Sequence, residues 1–268
     1  MTAALHGGEM TGDLTRDDFL GGALKIWQPR RGFRAGSDAV LLAAAIEAKP
    51  GETLLDVGAG VGTAGLCALH RLPGTTLFAV ELQAELAALA AENAAAAGFQ
   101  DRCSVITADI GVRSSFAGQT GPGGKAFLEA GFDHVFTNPP FFGRDRSQEA
   151  GTEGRTLARR ESDVPLSGWL RFCIARARSK GTVTIIHRTE RLGEILTAME
   201  PLCGRIRILP LWPDATSGAK RVIVQGVKGA KSPLRLLPGL VLHDAGGGPS
   251  EMAEAIHRRG ASLARYLA

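Results

Sequence analysis

The stretch Thr53-Leu54-Leu55-Asp56-Val57-Gly58-Ala59-Gly60-Val61-Gly62-Thr63-Ala64-Gly65-Leu66-Cys67-Ala68-Leu69-His70 decides the fold. A short apolar run breaks into three glycines spaced by single residues, and a stretch of helical composition follows at once. Strand, glycine turn and helix in that order open an α/β layer structure. Working outward, further strand-like runs lie at 76–80, 104–107, 133–137, 182–187, 205–211 and 221–227. Helical composition fills 63–70, 83–97, 166–179 and 189–199. The expectation is a seven-stranded, mostly parallel sheet. Because no helical pattern separates its last two strands, they form an antiparallel hairpin at a sheet edge.

The glycine turn also points to a ligand. Glycines let the backbone turn tightly and approach a bound molecule, and the helix start beyond them offers free NH groups. The spacing is G-x-G-x-G rather than the G-x-G-x-x-G of pyrophosphate sites, and Asp56 sits directly before it. A carboxylate there disfavours a pyrophosphate and suits a ligand with a cationic amino group. Nineteen residues beyond Gly62, at the end of the second run, Glu81 stands where an acid takes two ribose hydroxyls. S-adenosylmethionine fits both ends. Asp109, after the third run, lies where a loop reaches an adenine ring.

The fourth run ends in Thr137-Asn138-Pro139-Pro140-Phe141-Phe142. The prolines remove two NH donors and fix φ, leaving a rigid edge that accepts hydrogen bonds. The Asn138 side-chain oxygen and the Pro139 carbonyl can accept from one planar NH2 group while Phe141 stacks on its ring. An exocyclic amino nitrogen is a poor nucleophile because its lone pair is delocalised. Pairing both hydrogens with out-of-line acceptors favours the pyramidal form, whose lone pair can point at a sulfonium methyl.

Together the Asp-Val-Gly-Ala-Gly-Val-Gly turn, Glu81 and Asn-Pro-Pro-Phe resemble the class I S-adenosylmethionine-dependent amino-methyltransferases. The upstream Gln28-Pro29-Arg30-Arg31-Gly32-Phe33-Arg34-Ala35-Gly36-Ser37-Asp38-Ala39-Val40-Leu41-Leu42 is similar to the bacterial tRNA (adenine-N6)-methyltransferases that modify a valine tRNA. The resemblance covers residues 14–230, densely at 28–142. It implies a Rossmann-like class I sheet, and cofactor contacts from Asp56, Gly58, Ala59, Gly60, Glu81, Leu82, Asp109 and Asn138, with Gly36, Ser37 and Asp38 near the methionine end. It assigns the target base to Asn138, Pro139, Pro140 and Phe141. Phe141 stands where family members often carry Tyr.

Composition agrees with one α/β protein of 268 residues, read as a single domain with an N-terminal extension and cofactor lid (1–50), a core (51–230) and a C-terminal segment (231–268). The four cysteines form no C-x-x-C pair, the histidines show no metal-ligand spacing, and no apolar run approaches a membrane span. The expectation is a cytoplasmic protein without metal or membrane, its oligomeric state open. Formal net charge is +4, distributed as zero over 1–50, −5 over 51–140 and +9 over 141–268. Such asymmetry favours an RNA substrate, tRNA first.

Phe142, Arg144, Arg146, Arg159 and Arg160 follow the motif and are expected to hold the flipped nucleotide, as part of a long polar loop at 143–163 that also carries Arg155. Arg30, Arg31 and Arg34 form a second basic cluster beside Trp27, whose ring is expected to pack. The segment 111–131 reads as a flexible surface loop and 251–266 as one helix. Guanine N2 of ribosomal RNA and a protein glutamine amide remain open as acceptors. A metal-assisted small-molecule O-methyltransferase and a noncatalytic RNA-binding module are the readings from other classes.

Overall fold

The computed structural model describes residues 14–32, 34–140 and 164–268. Its centre is a sheet built on β3 (Thr53–Val57), β4 (Thr76–Glu81), β5 (Cys103–Thr107), β6 (Phe132–Thr137), β7 (Ala177–Arg188), β8 (Cys203–Trp212) and β9 (Arg221–Lys228). The order is β5-β4-β3-β6-β7-β9-β8. Every neighbouring pair is parallel except the two made by β9. Outward from β3 the chain winds one way through β4 and β5 and the other way through β6 and β7, so the order reverses at the β3–β6 junction. Ligands of open α/β sheets bind at such a junction, beyond the carboxyl ends of the strands.

Alternation along the strands divides the core. Leu54, Phe136, Ile186, Leu209 and Ile223 face α1 (Ser37–Ala44) and α2 (Thr63–Arg71), whereas Leu55, Val135, Ile185, Ile208 and Val224 face α4 (Leu166–Arg176) and α5 (Leu192–Met199). The fifth helix of this layer structure, α3 (Ala84–Ala96), connects β4 to β5. Residues 39–46 are buried without interruption.

Several expectations need correction. The β8–β9 pair is antiparallel as expected but does not form the edge, because β10 (Arg235–Leu236) and β11 (Leu240–Val241) run parallel to β8 on its outer side. Two-residue strands have no visible period. The N-terminal segment holds an unexpected antiparallel hairpin of β1 (Leu14–Phe19) and β2 (Leu24–Pro29). Trp27 on β2 alternates outward, 38% exposed, with Arg16 5.7 Å from its ring centroid, instead of packing.

The segment 111–131 is pinned, not free. It folds into 3-10 turns that drive Phe116 and Phe127 into the core, their rings stacked at 5.0 Å. The helix expected over 166–179 ends at Arg176, where Ala177 pairs with Phe132 and Lys228 Nζ donates to the carbonyls of Ala175 and Ala177. The expected 189–199 helix begins with a 3-10 turn and becomes α-helical only from Leu192. The C-terminal helix is broken by Gly260, φ +63°, into α6 (Glu251–Arg259) and α7 (Ala264–Leu267). Arg71 joins these parts, donating from Nε to Gly260 O and from Nη1 to the carbonyls of Ala43 and Ile46.

Candidate active site

Register brings the two motifs together. Val57 pairs with Thr137, so the glycine turn and Asn138 leave the sheet side by side. Gly58, Gly60 and Gly62 all take positive φ, which restricts these positions to glycine. The turn is anchored to β4: Gly58 N and Ala59 N both donate to Val80 O (2.8 and 3.0 Å), and Gly60 N donates to Glu81 Oε2 (2.7 Å). The other oxygen of Glu81 accepts from Gln83 N. Burial raises the Glu81 carboxyl pKa despite those bonds. Beside it Leu82 leaves its side chain 37% exposed, an apolar surface at the strand end.

Asp56 has a structural partner of its own. It is 2% exposed, and its Oδ2 accepts from Gly65 N in the first turn of α2 at 3.0 Å. Burial, and then the nearby Glu81, push its pKa up to about 7. Asp56 thus fixes the helix start against β3, and near neutral pH it is only partly charged. Asp109 is similarly occupied, its Oδ1 accepting from Gly111 N at 2.7 Å while Ser115 Oγ bonds its backbone.

Asn138 is half-buried. Its Oδ1 is fully buried and has no hydrogen-bond partner, a costly state for an acceptor unless a donor arrives. Pro139 is buried and Pro140 half-buried beside it. Phe141, Phe142, Arg144, Arg146, Arg155, Arg159 and Arg160, with the rest of the 143–163 loop, lie outside the described residues.

Ser37 and Asp38 contact the C-terminal half, while the Gly36 carbonyl accepts locally from Ala39 N. Ser37 Oγ lies 2.9 Å from His257 Nε2 of α6, and Asp38 pairs with Arg221 at 2.8 Å. Gly36 and Ser37 line a cleft of about 470 Å³ together with Asp17, Asp18, Gln28 and His257. Asp17 in turn pairs with Arg34. His187, at the end of β7, is buried, and burial followed by the nearby Arg191 depresses its pKa to about 4.

Two residues that the sequence reading did not single out hold the site. Asn93 of α3, 0% exposed, accepts from Trp27 N (2.8 Å) and donates to Trp27 O and Val61 O (both 3.0 Å). It ties the N-terminal hairpin to the glycine turn. An amide inside Ala91-Glu92-Asn93-Ala94-Ala95-Ala96 was the available signal. Trp169 of α4 donates from Nε1 to Thr137 Oγ1, which donates to Val57 O (both 2.7 Å), and its ring packs where Gly58 has no Cβ. One indole thereby braces the glycine turn and the residue preceding Asn138.

The chain is similar in sequence and fold to known proteins. Residues 34–159 match the methyltransferase small domain. The fold is shared with a crystal structure described as a predicted O-methyltransferase from Agrobacterium tumefaciens, at a TM-score of 0.67 and 24% identity over 84% of this chain and 97% of that one. A curated tRNA1(Val) (adenine(37)-N6)-methyltransferase from Porphyromonas gingivalis is 31% identical over 61% of this chain, and the alignment spans only 62% of that relative. The protein of the same name from Escherichia coli O157:H7 is 32% identical over 71% of this chain and 73% of its own length. With that identity over that share of a curated relative, the chain belongs to the tRNA1(Val) (adenine(37)-N6)-methyltransferase family.

Proposed function

We propose that this protein transfers the methyl group of S-adenosylmethionine to an exocyclic amino group, adenine N6 in tRNA, within a single domain whose core is 51–230. The observation that carries the reading is the buried, unpartnered Asn138 Oδ1 at a strand end registered beside the glycine turn. The cofactor fits the donor set: a carboxylate at the end of β4 for the ribose, an exposed Leu82 for a ring, and a turn open to close approach. When bound, it supplies an electrophilic methyl on a sulfonium.

The chain's own residues position the acceptor. Asn138 Oδ1 takes one amino hydrogen and the Pro139 carbonyl the other, which localises the nitrogen lone pair. Bound S-adenosylmethionine would supply the methyl, and the alkylated nitrogen, made acidic, would lose its proton to water. Among the described residues no group of three His, Cys, Asp or Glu side chains could hold a metal ion, and no helix is long and apolar enough to cross a membrane.

Incubation with tRNA and methyl-labelled cofactor, followed by digestion to nucleosides, tests the reading. N6-methyladenosine is expected, reduced about 100-fold or more by Asn138→Ala. Absence of label, label in guanosine, or equal transfer by the variant refutes it.

A further inference from the structure

The outer edge of the sheet carries a cationic cluster that the methyl-transfer chemistry does not use. Two residues of β8, Arg205 and Ile206, stand opposite the single Gly226 of β9, forming a bulge, and Arg205 takes φ +48° within it. The bulge is fixed on its far side: Arg205 N donates to Ser232 O at 2.8 Å, and a Cβ on Gly204 would lie 2.4 Å from Ala230 O. Arg207 follows and pairs in register with Arg235 of β10, so their side chains leave the same face.

The Arg207 Nε is buried without an acceptor. Among the described residues no Asp or Glu side chain lies within ion-pair distance of Arg205, Arg207 or Arg235, and Arg235 Nη1 donates to Ala268 O at 3.3 Å. Burial, and then the nearby Arg205 and Arg235 charges, disfavour the Arg207 cation until an anion arrives. Guanidinium forks match phosphate oxygens.

The cluster is placed to serve the same substrate. Thr137 pairs with Ile185, Ile185 with Val224 and Val224 with Ile208, so Arg207 lies three strand spacings, roughly 14 Å, across the sheet from the Asn138 strand end. We infer that Arg205, Arg207 and Arg235 form a phosphate-binding exosite that grips the RNA backbone while the target base occupies the Asn138 site. The partner class rests on the reading under Proposed function; the anion site does not.

The experiment measures tRNA binding by filter retention across a salt series for wild type, Arg235→Gln, Arg207→Gln and Arg207→Lys, with cofactor affinity alongside. Each Gln variant is expected to weaken RNA binding about threefold to tenfold and to flatten the slope of log K against log salt by about one, with cofactor affinity unchanged. Arg207→Lys recovers part of the slope. Arg235→Gln alters an exposed side chain whose hydrogen bond is to Ala268 O, and it keeps the test valid should Arg207→Gln fail to fold.

Unchanged affinity and slope in Arg235→Gln and in folded Arg207→Gln, with wild type methylating tRNA, overturn the exosite alone. Where wild type methylates no RNA, inorganic phosphate raising the Tm of wild type but not of Arg235→Gln preserves the anion site and discards the RNA partner. Equal shifts in both discard the site.

Discussion

The contact between Trp169 and Gly58 can be weighed in free energy. Gly58 has φ +74°, and an added Cβ there would lie 2.6 Å from Trp169 Cζ2. Gly58→Ala therefore meets two costs: about 1 kcal/mol for a left-handed alanine, and about 2 kcal/mol for forcing a methyl into a packed ring. Gly98 supplies the control, since its φ is +75° and nothing lies within 4 Å of an added Cβ. Gly98→Ala incurs only the first cost. Loss of unfolded-state freedom acts alike on both and cancels in the comparison.

Urea unfolding at equal m-values should place Gly58→Ala about 2 kcal/mol below Gly98→Ala. In a Trp169→Ala background the steric part of the Gly58→Ala cost should vanish, leaving the double variant about 2 kcal/mol less destabilised than the sum of the two single changes. A difference below about 0.5 kcal/mol between the two alanine variants would show that the indole is not held against the turn.

Asn93→Ala should lower stability by about 3 kcal/mol, because Trp27 N, Trp27 O and Val61 O all lose their partner, and calorimetric unfolding reads the loss directly. Thr137→Val keeps the shape but removes the link between Trp169 and Val57; a loss of about 2 kcal/mol is expected, and one below about 0.5 in denaturant titration contradicts the bridge.

Two buried groups oppose each other in pH dependence. His187, with a folded pKa of about 4 against an ordinary 6.5, binds a proton only after unfolding in that window, so its contribution rises with pH and is complete above 6.5. Asp56, at about 7 against 3.8, keeps its proton longer when folded, so its contribution falls between 3.8 and 7. Asp56→Asn should leave a profile that climbs more steeply than wild type between pH about 4 and 6.5; parallel profiles refute the assignment.

The parallel core was legible because its central strands are buried on both faces and read as short, mostly apolar runs bounded by turn residues, as in Leu54-Leu55-Asp56-Val57. The pairing of the glycine turn with Asn-Pro-Pro was legible only as chain order; the Val57–Thr137 register makes it spatial. Elements defined by tertiary contact left weaker traces. In β2, Leu24, Ile26 and Gln28 point inward while Lys25 and Trp27 point out, a period of two partly hidden by a buried glutamine. That Asp56 Oδ2 also accepts from Gly65 N, nine residues on, is a contact that a sequence does not show. Trp169 and Asn93 act through backbone and side-chain partners far from them in sequence, which no local pattern encodes.

The uninterrupted burial of 39–46 bears on how the chain reaches its native state. The cover over α1 includes Ser37 against His257, 220 residues apart, and Leu263 N bonded to Ala44 O. During synthesis this apolar segment emerges some 220 residues before the His257 that helps to cover it. The β3–β4–β5 unit can pair as soon as it leaves the ribosome, whereas α1 waits with apolar surface uncovered, a state open to aggregation and to chaperone capture. Nascent chains stopped before α6 should accordingly be more protease-sensitive at 37–46 than at 53–57.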